Sequence, residues 1–171
     1  MDEVVDPQNL GSLLRTSYFL GIDGVVICSK NSAPLSPAVS KASSGALEVF
    51  QNKLYHTNNM RKLLLNSIEL GYYTIGASID TIGTNTVLDL SSNHDCDKIQ
   101  DKDVILVLGN EGHGMRKSIL SVCNALMKIS NGYEKSFSDS RSIKVDSLNV
   151  AVSGGIILHH LLKQRFKHNS N

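Results

Sequence analysis

Val104-Ile105-Leu106-Val107-Leu108-Gly109-Asn110-Glu111-Gly112-His113-Gly114-Met115 is the stretch that decides how this chain is read. Its first five residues are all branched and apolar. A run that short, bounded by turn residues, has the composition of a strand covered on both faces, as in a parallel sheet. It predicts the central strand of the protein. Gly109, Gly112 and Gly114 then let the backbone turn sharply and approach a ligand, or simply make a tight turn; the residues alone leave both readings open. No Gly-Lys-Ser/Thr follows at the spacing of a phosphate loop, and GxGxxG is absent, so the signatures of nucleoside triphosphate and dinucleotide folds are missing.

Outward from this stretch, helices and strands alternate. Toward the N-terminus, Asp6-Pro7 signals a turn, and Leu10, Leu13, Leu14, Tyr18 and Phe19 recur at helical spacing before Gly21. Residues 24–28 form a short apolar run, 37–50 a helix loosened around Ser43-Ser44-Gly45, and 54–56 a strand. Asn58 or Asn59 caps a helix running to Leu70 that buries Met60, Leu63, Leu64 and Ile68, and 72–77 is the next strand. Residues 78–103 are polar apart from Val87-Leu88 and read as a long irregular connection. Toward the C-terminus come a short helix near 118–123, a strand at 125–129, a Ser-rich charged segment at 131–144 and a closing helix over 148–166. The order predicts one α/β domain, a mostly parallel sheet with helices on both faces.

The 171 residues, 41% of them hydrophobic, suffice for one core and are short for two domains. A net charge of +1 gives no global sign of a nucleic-acid partner, yet from Gly114 onward Lys and Arg outnumber Asp and Glu nine to three. Cys28, Cys96 and Cys123 are odd in number and widely spaced, which fits free thiols in a reducing compartment. No apolar stretch reaches the roughly 18 to 20 residues of a membrane span, and no signal or transit segment leads the chain. The abrupt start, with Val4-Val5 close behind Met1, leads us to expect further sequence upstream. His94-Asp95-Cys96-Asp97 lacks a second cluster at ligand spacing and reads as exposed loop, so no metal is expected.

Three segments combine glycines and polar residues beside strand ends, where open α/β sheets place ligands. They are residues 6–16 with Asn9 and Arg15, 106–115 with Gly109 and Glu111, and 146–155 with Ser147, Leu148 and Asn149. Each also has a plain structural reading: Asn9 and Arg15 as a helix start and a surface Arg, the glycine loop as a turn, and Ser147-x-Asn149 as a helix cap. Asn9 and Arg15, six positions apart, point from different faces of their helix.

In this order the three segments resemble motifs 1, 2 and 3 of the SpoU/TrmH branch of the SPOUT RNA methyltransferases, and Lys41-Ala42-Ser43-Ser44-Gly45-Ala46 resembles a further family segment. The likeness runs from Asp6 to Leu162 and points to the rRNA guanosine 2′-O-methyltransferases, those of fungal mitochondria included. It implies a C-terminal deep trefoil knot, a homodimer, S-adenosyl-L-methionine as cofactor, RNA as substrate and a place in the mitochondrial matrix. By motif matching it assigns Gly109, Ile129, Leu148 and, more weakly, Ala77 to the cofactor pocket, and Asn9, Arg15, Glu111, Ser147 and Asn149 to the catalytic centre.

Arg15 would act on the ribose 2′-hydroxyl, at the cofactor of the partner subunit. A guanidinium stays protonated far above neutral pH and is a poor base, so that action is stabilisation of the developing alkoxide or recruitment of an RNA phosphate as base. Two features depart from the family pattern: Ile129-Ser130 stands where Ile-Pro is common, and residues 131–144 look like an insertion beside the pocket. The family's N-terminal RNA-binding domain is absent from these residues, which agrees with the near-neutral charge. The alternatives are tRNA methylation on the same fold and a non-catalytic RNA-binding assembly factor; Asn9, Arg15, Glu111 and Asn149 together argue for the enzyme.

Overall fold

The computed structural model describes residues 1–78, 86–90, 99, 101–110, 112–130 and 147–168, with side chains as far as Lys163. Its elements in chain order are α1 (Pro7–Phe19), β1 (Val25–Cys28), α2 (Pro37–Ser43), α3 (Ala46–Val49), β2 (Leu54–Thr57), α4 (Met60–Glu69), β3 (Tyr73–Ala77), β4 (Thr86–Asp89), β5 (Val104–Val107), α5 (Lys117–Leu120), β6 (Ala125–Lys128) and α6 (Val150–His168). Every strand pair among them is parallel: β1 with β2, and a four-stranded sheet in the order β4-β6-β3-β5. The N-terminal residues bridge the two. Cys28 N donates to Met1 O at 3.0 Å and Asp2 N to Leu108 O at 2.8 Å, so the first two residues lie between β1 and the end of β5.

Side-chain alternation along the strands divides the core. Val25, Ile27 and Leu108 face Leu10, Leu13 and Leu14 of α1, with Val39 of α2 and Val150 of α6. Each fully buried leucine there contributes roughly 1.5–3 kcal/mol. On the same side Ile75, Leu88 and Met127 meet Ile157 of α6. The opposite face sets Cys28, Val107 and Leu126 against Met60 and Leu64 of α4 and Ile119 and Leu120 of α5. Helices therefore cover both faces, as expected. Two close crossings depend on glycine. A Cβ at Gly11 would lie 2.4 Å from Ala42 Cβ and 2.8 Å from Val39 O, and one at Gly154 would lie 2.7 Å from Leu13 Cδ2.

Local signals explain the helix starts. Asp6 caps α1, accepting from Gln8 N at 2.9 Å, with Pro7 preset for the first turn. Asn59, one of the two candidates, caps α4 by accepting from Lys62 N at 3.0 Å. The break at Ser43-Ser44-Gly45 separates α2 from α3 through left-handed backbone, φ 51° at Ser44 and 86° at Gly45.

Two expectations are corrected. The strand expected to be central, β5, pairs within the four-stranded sheet only with β3, while β3 and β6 are flanked on both sides. Its apolar run reflects helices over both faces, which does not require a strand on both edges. The connection at 78–103 contains a strand, β4, which shows one buried side chain, Leu88, and so carries almost no hydrophobic signal. Tyr18 and Phe19 continue the helical spacing of α1, as read, and are exposed, with the Tyr18 ring edge-on to Phe50 at 6.0 Å between ring centres.

Cys28 and Cys123 are buried free thiols, and burial pushes the Cys123 thiol up to about 11. Among the described residues no helix is long and apolar enough to cross a membrane. Glu111, the 94–97 cluster and the 131–144 insertion lie outside the described residues.

Candidate active site

The parallel strands deliver the candidate pocket residues to one edge. Gly76 of β3 lies opposite Val107 of β5, and Ala77 opposite Met127 of β6, so Ala77, Gly109 and Ile129 all sit at or just past the carboxyl ends of three adjacent strands. Ala77 packs into the cluster containing Leu108 and Val150, and Ile129 into the one containing Ile157. The start of α6 thus lies over this edge, with Leu148 immediately before it, 48% exposed. The result is an apolar floor of strand ends and an exposed leucine beside it.

Motif by motif, the polar residues separate into two groups. Asn149 Nδ2 donates to Asn9 Oδ1 at 2.9 Å, and Asn149 Oδ1 accepts from Ala151 N at 2.8 Å and Val152 N at 3.3 Å. One side chain therefore caps α6 and ties it to the first turns of α1. Ser147 is exposed and forms no hydrogen bond to another described residue. Arg15 points elsewhere, as the spacing predicts. It is exposed and its Nη1 donates to Ser44 Oγ at 3.0 Å, at the left-handed break between α2 and α3.

The glycine loop folds back on itself. Asn110 N donates to Gly114 O at 2.9 Å and Gly114 N to Asn110 O at 3.1 Å, with Gly114 at φ 67°. A Cβ on Gly109 would lie 2.8 Å from Gly114 O, whereas one on Gly112 would meet only Asn110 Oδ1 at 3.5 Å. Gly109 and Gly114 are thus required by the turn and Gly112 is not.

Sequence reasoning missed the residues that brace this loop. Asn110 Oδ1 accepts from Gly112 N at 2.8 Å and His113 N at 3.0 Å, while its Nδ2 donates to Glu3 O at 3.1 Å. An Asn beside a glycine loop is a recognisable turn signal and was there to be read. Arg116 reaches back to Asp2 with both Nε, at 3.0 Å, and Nη2, at 2.6 Å; the carboxylate is 1% exposed. That hydrogen bond raises the Arg116 pKa above its ordinary value. Nothing local in the sequence marks a pair 114 positions apart. Ser130, the departure from Ile-Pro, has a partner: its Oγ donates to Asp89 Oδ2, tying the end of β6 to the end of β4.

The sequence matches the profile of the SpoU rRNA Methylase family over residues 1–159. The chain belongs to this family. Among its relatives, "rRNA methyltransferase 1, mitochondrial" of Dictyostelium discoideum is 42% identical over 95% of this chain and 28% of its own length. The protein of the same name from Homo sapiens is 33% identical over 96% of this chain and 45% of its own. The chain therefore spans less than half the length of either relative. A crystal structure of AdoMet-bound rRNA methyltransferase from Sinorhizobium meliloti superposes with a TM-score of 0.73 at 22% identity, over 95% of this chain and 54% of that one, and shares the fold. Within the SpoU family fold, the two motifs joined by Asn9 and Asn149 and the glycine loop come together at one end of the sheet.

Proposed function

We propose that this chain is the catalytic domain of an S-adenosyl-L-methionine-dependent RNA 2′-O-ribose methyltransferase, acting on a guanosine of large-subunit rRNA in the mitochondrial matrix. The observation that carries the reading is the Asn149–Asn9 hydrogen bond beside the strand ends, which makes one site of segments 140 residues apart. Family membership and the names of the mitochondrial relatives support the rRNA substrate and the compartment.

The residues present fit the cofactor. Ala77, Ile129 and the backbone at Gly109 lie at or just past adjacent strand ends and would hold the cofactor, with the exposed Leu148 as an apolar surface for its adenine ring. When bound, the cofactor supplies a methyl sulfonium, already strongly electrophilic; the protein must supply alignment and a field that favours alkoxide on the attacking oxygen. Arg15 would provide that field, or bind the RNA phosphate that takes the proton of the ribose 2′-hydroxyl. Ser44 holds its guanidinium from the α2–α3 break. Asn149 and Asn9 tie the start of α6 to α1, and Ser147 and Glu111 are assigned to the same centre by the motif resemblance alone.

The same reading includes a homodimer and the trefoil knot of the family. Val152 and Ile156, four positions apart on α6, are 51% and 39% exposed beside Leu148, and Phe19 at the end of α1 is 87% exposed. Such a stripe is what a second subunit covers, and it brings Arg15 of one protomer toward the cofactor of the other. The test separates binding from chemistry. Arg15→Ala should abolish methyl transfer to rRNA fragments while calorimetry shows cofactor binding intact; retained turnover would defeat the role given to Arg15.

A further inference from the structure

A cavity of about 280 Å³ opens at the carboxyl ends of β1 and β2, and none of the candidate catalytic or cofactor residues lines it. Its walls are Cys28, Lys30 and Asn31 after β1, Asn58 to Arg61 between β2 and the first turn of α4, and Arg116 with Ser118 and Ile119. At this size it falls just below the roughly 300–1,000 Å³ of pockets for drug-sized ligands, so it suits one small group rather than the cofactor.

Its chemistry selects the sign of that group. Three cations, Lys30, Arg61 and Arg116, line the cavity and no carboxylate does. Arg116 is matched by Asp2 and Glu3 behind the wall, but neither Lys30 nor Arg61 has a carboxylate partner among the described residues. The ten-residue α4 begins here. Asn59 occupies Lys62 N, and among the described residues nothing accepts from Met60 N or Arg61 N. Cations and unsatisfied helix donors on one small cavity form an anion site.

Its position selects the source of the anion. Glu3 takes Asn31 Nδ2 on its carboxylate at 2.8 Å and Asn110 Nδ2 on its backbone oxygen at 3.1 Å, so one residue braces both the cavity wall and the glycine loop. We infer that the cavity at the start of α4, through Lys30, Arg61 and the α4 backbone, holds a backbone phosphate of the substrate RNA, flanking the ribose that is methylated. The inference rests on the function proposed above and adds to it a binding site for the strand.

The test measures RNA affinity of the full-length protein across salt concentrations, for wild type and for Lys30→Gln with Arg61→Gln, alongside melting temperature and calorimetry with S-adenosyl-L-methionine. The double variant should bind single-stranded rRNA fragments severalfold more weakly, with a log–log salt slope shallower by about 0.7 for one lost phosphate, at unchanged cofactor affinity. Unchanged RNA affinity and slope would overturn the inference. So would a Lys30- and Arg61-dependent affinity for inorganic phosphate that leaves RNA binding untouched. Should the double variant melt early, Asn59→Asp keeps a cap of equal quality and sets a negative charge at the cavity mouth. It must weaken RNA binding, and failure to do so overturns the inference equally. A wild-type protein that binds RNA in this way yet transfers no methyl group contradicts the proposed function and leaves the cavity standing.

Discussion

Asn149 joins the two ends of the chain: its Nδ2 donates to Asn9 Oδ1 at 2.9 Å while its Oδ1 caps α6. Two tasks in one side chain can be separated by substitution. Asn149→Ser keeps a good cap but is too short to reach Asn9, and Asn149→Ala loses both. Thermal unfolding should place the serine variant within about 0.5 kcal/mol of wild type and the alanine variant about 1 kcal/mol lower still, with methyl transfer reduced in both. Wild-type turnover in the serine variant would show that the link to Asn9 does not matter to the site.

The two outer glycines of the loop and the inner one are predicted to behave differently. Gly109→Ala drives a methyl group to 2.8 Å from Gly114 O, where backbone must move, and should cost roughly 1–3 kcal/mol in denaturant unfolding. Gly112→Ala meets nothing closer than 3.5 Å and should be near neutral. Equal effects would mean that the loop is not folded as described.

Leu148, 48% exposed, can be changed without emptying the core. Leu148→Asp should leave the melting temperature nearly unchanged and weaken cofactor binding in calorimetry by tenfold or more, about 1.4 kcal/mol. Normal binding would remove Leu148 from the pocket.

The buried Cys123 thiol, pushed up to about 11 by desolvation, gives a pH prediction. An unfolded thiol ionises near 8.5, so between about pH 9 and 11 the unfolded state has lost a proton that the folded state keeps. Stability contributed by this group is therefore complete below about pH 8.5 and declines as pH rises through that window. At pH 8 a thiol reagent should label Cys123 at the rate of unfolding, and denaturant should accelerate it; rapid labelling of folded protein would contradict its burial.

The sequence made the architecture legible wherever a pattern was local. The helical spacing of Leu10, Leu13 and Leu14 and the break around Ser43-Ser44-Gly45 depend on neighbours a few positions away and appear as read, and of the two cap candidates Asn58 and Asn59 the structure takes Asn59. What escaped was non-local or thinly encoded. β4 shows one buried residue, Leu88, and the place of β5 in the sheet is set by pairing with residues some thirty positions away. The same holds for the site. Motif resemblance proposed Asn9 and Asn149 as members of one centre, but only the fold shows that they touch. The Asp2–Arg116 pair and the Arg15–Ser44 contact follow from the fold alone, because no periodicity links positions 114 and 29 residues apart.

The most direct test of the account follows the methyl group. The full-length protein would be incubated with isotope-labelled S-adenosyl-L-methionine and large-subunit rRNA, the RNA digested to nucleosides, and the label located by mass spectrometry. The account predicts label in 2′-O-methylguanosine, lost with Arg15→Ala. Label on a base, or none at all from a folded protein that binds the cofactor, would contradict it.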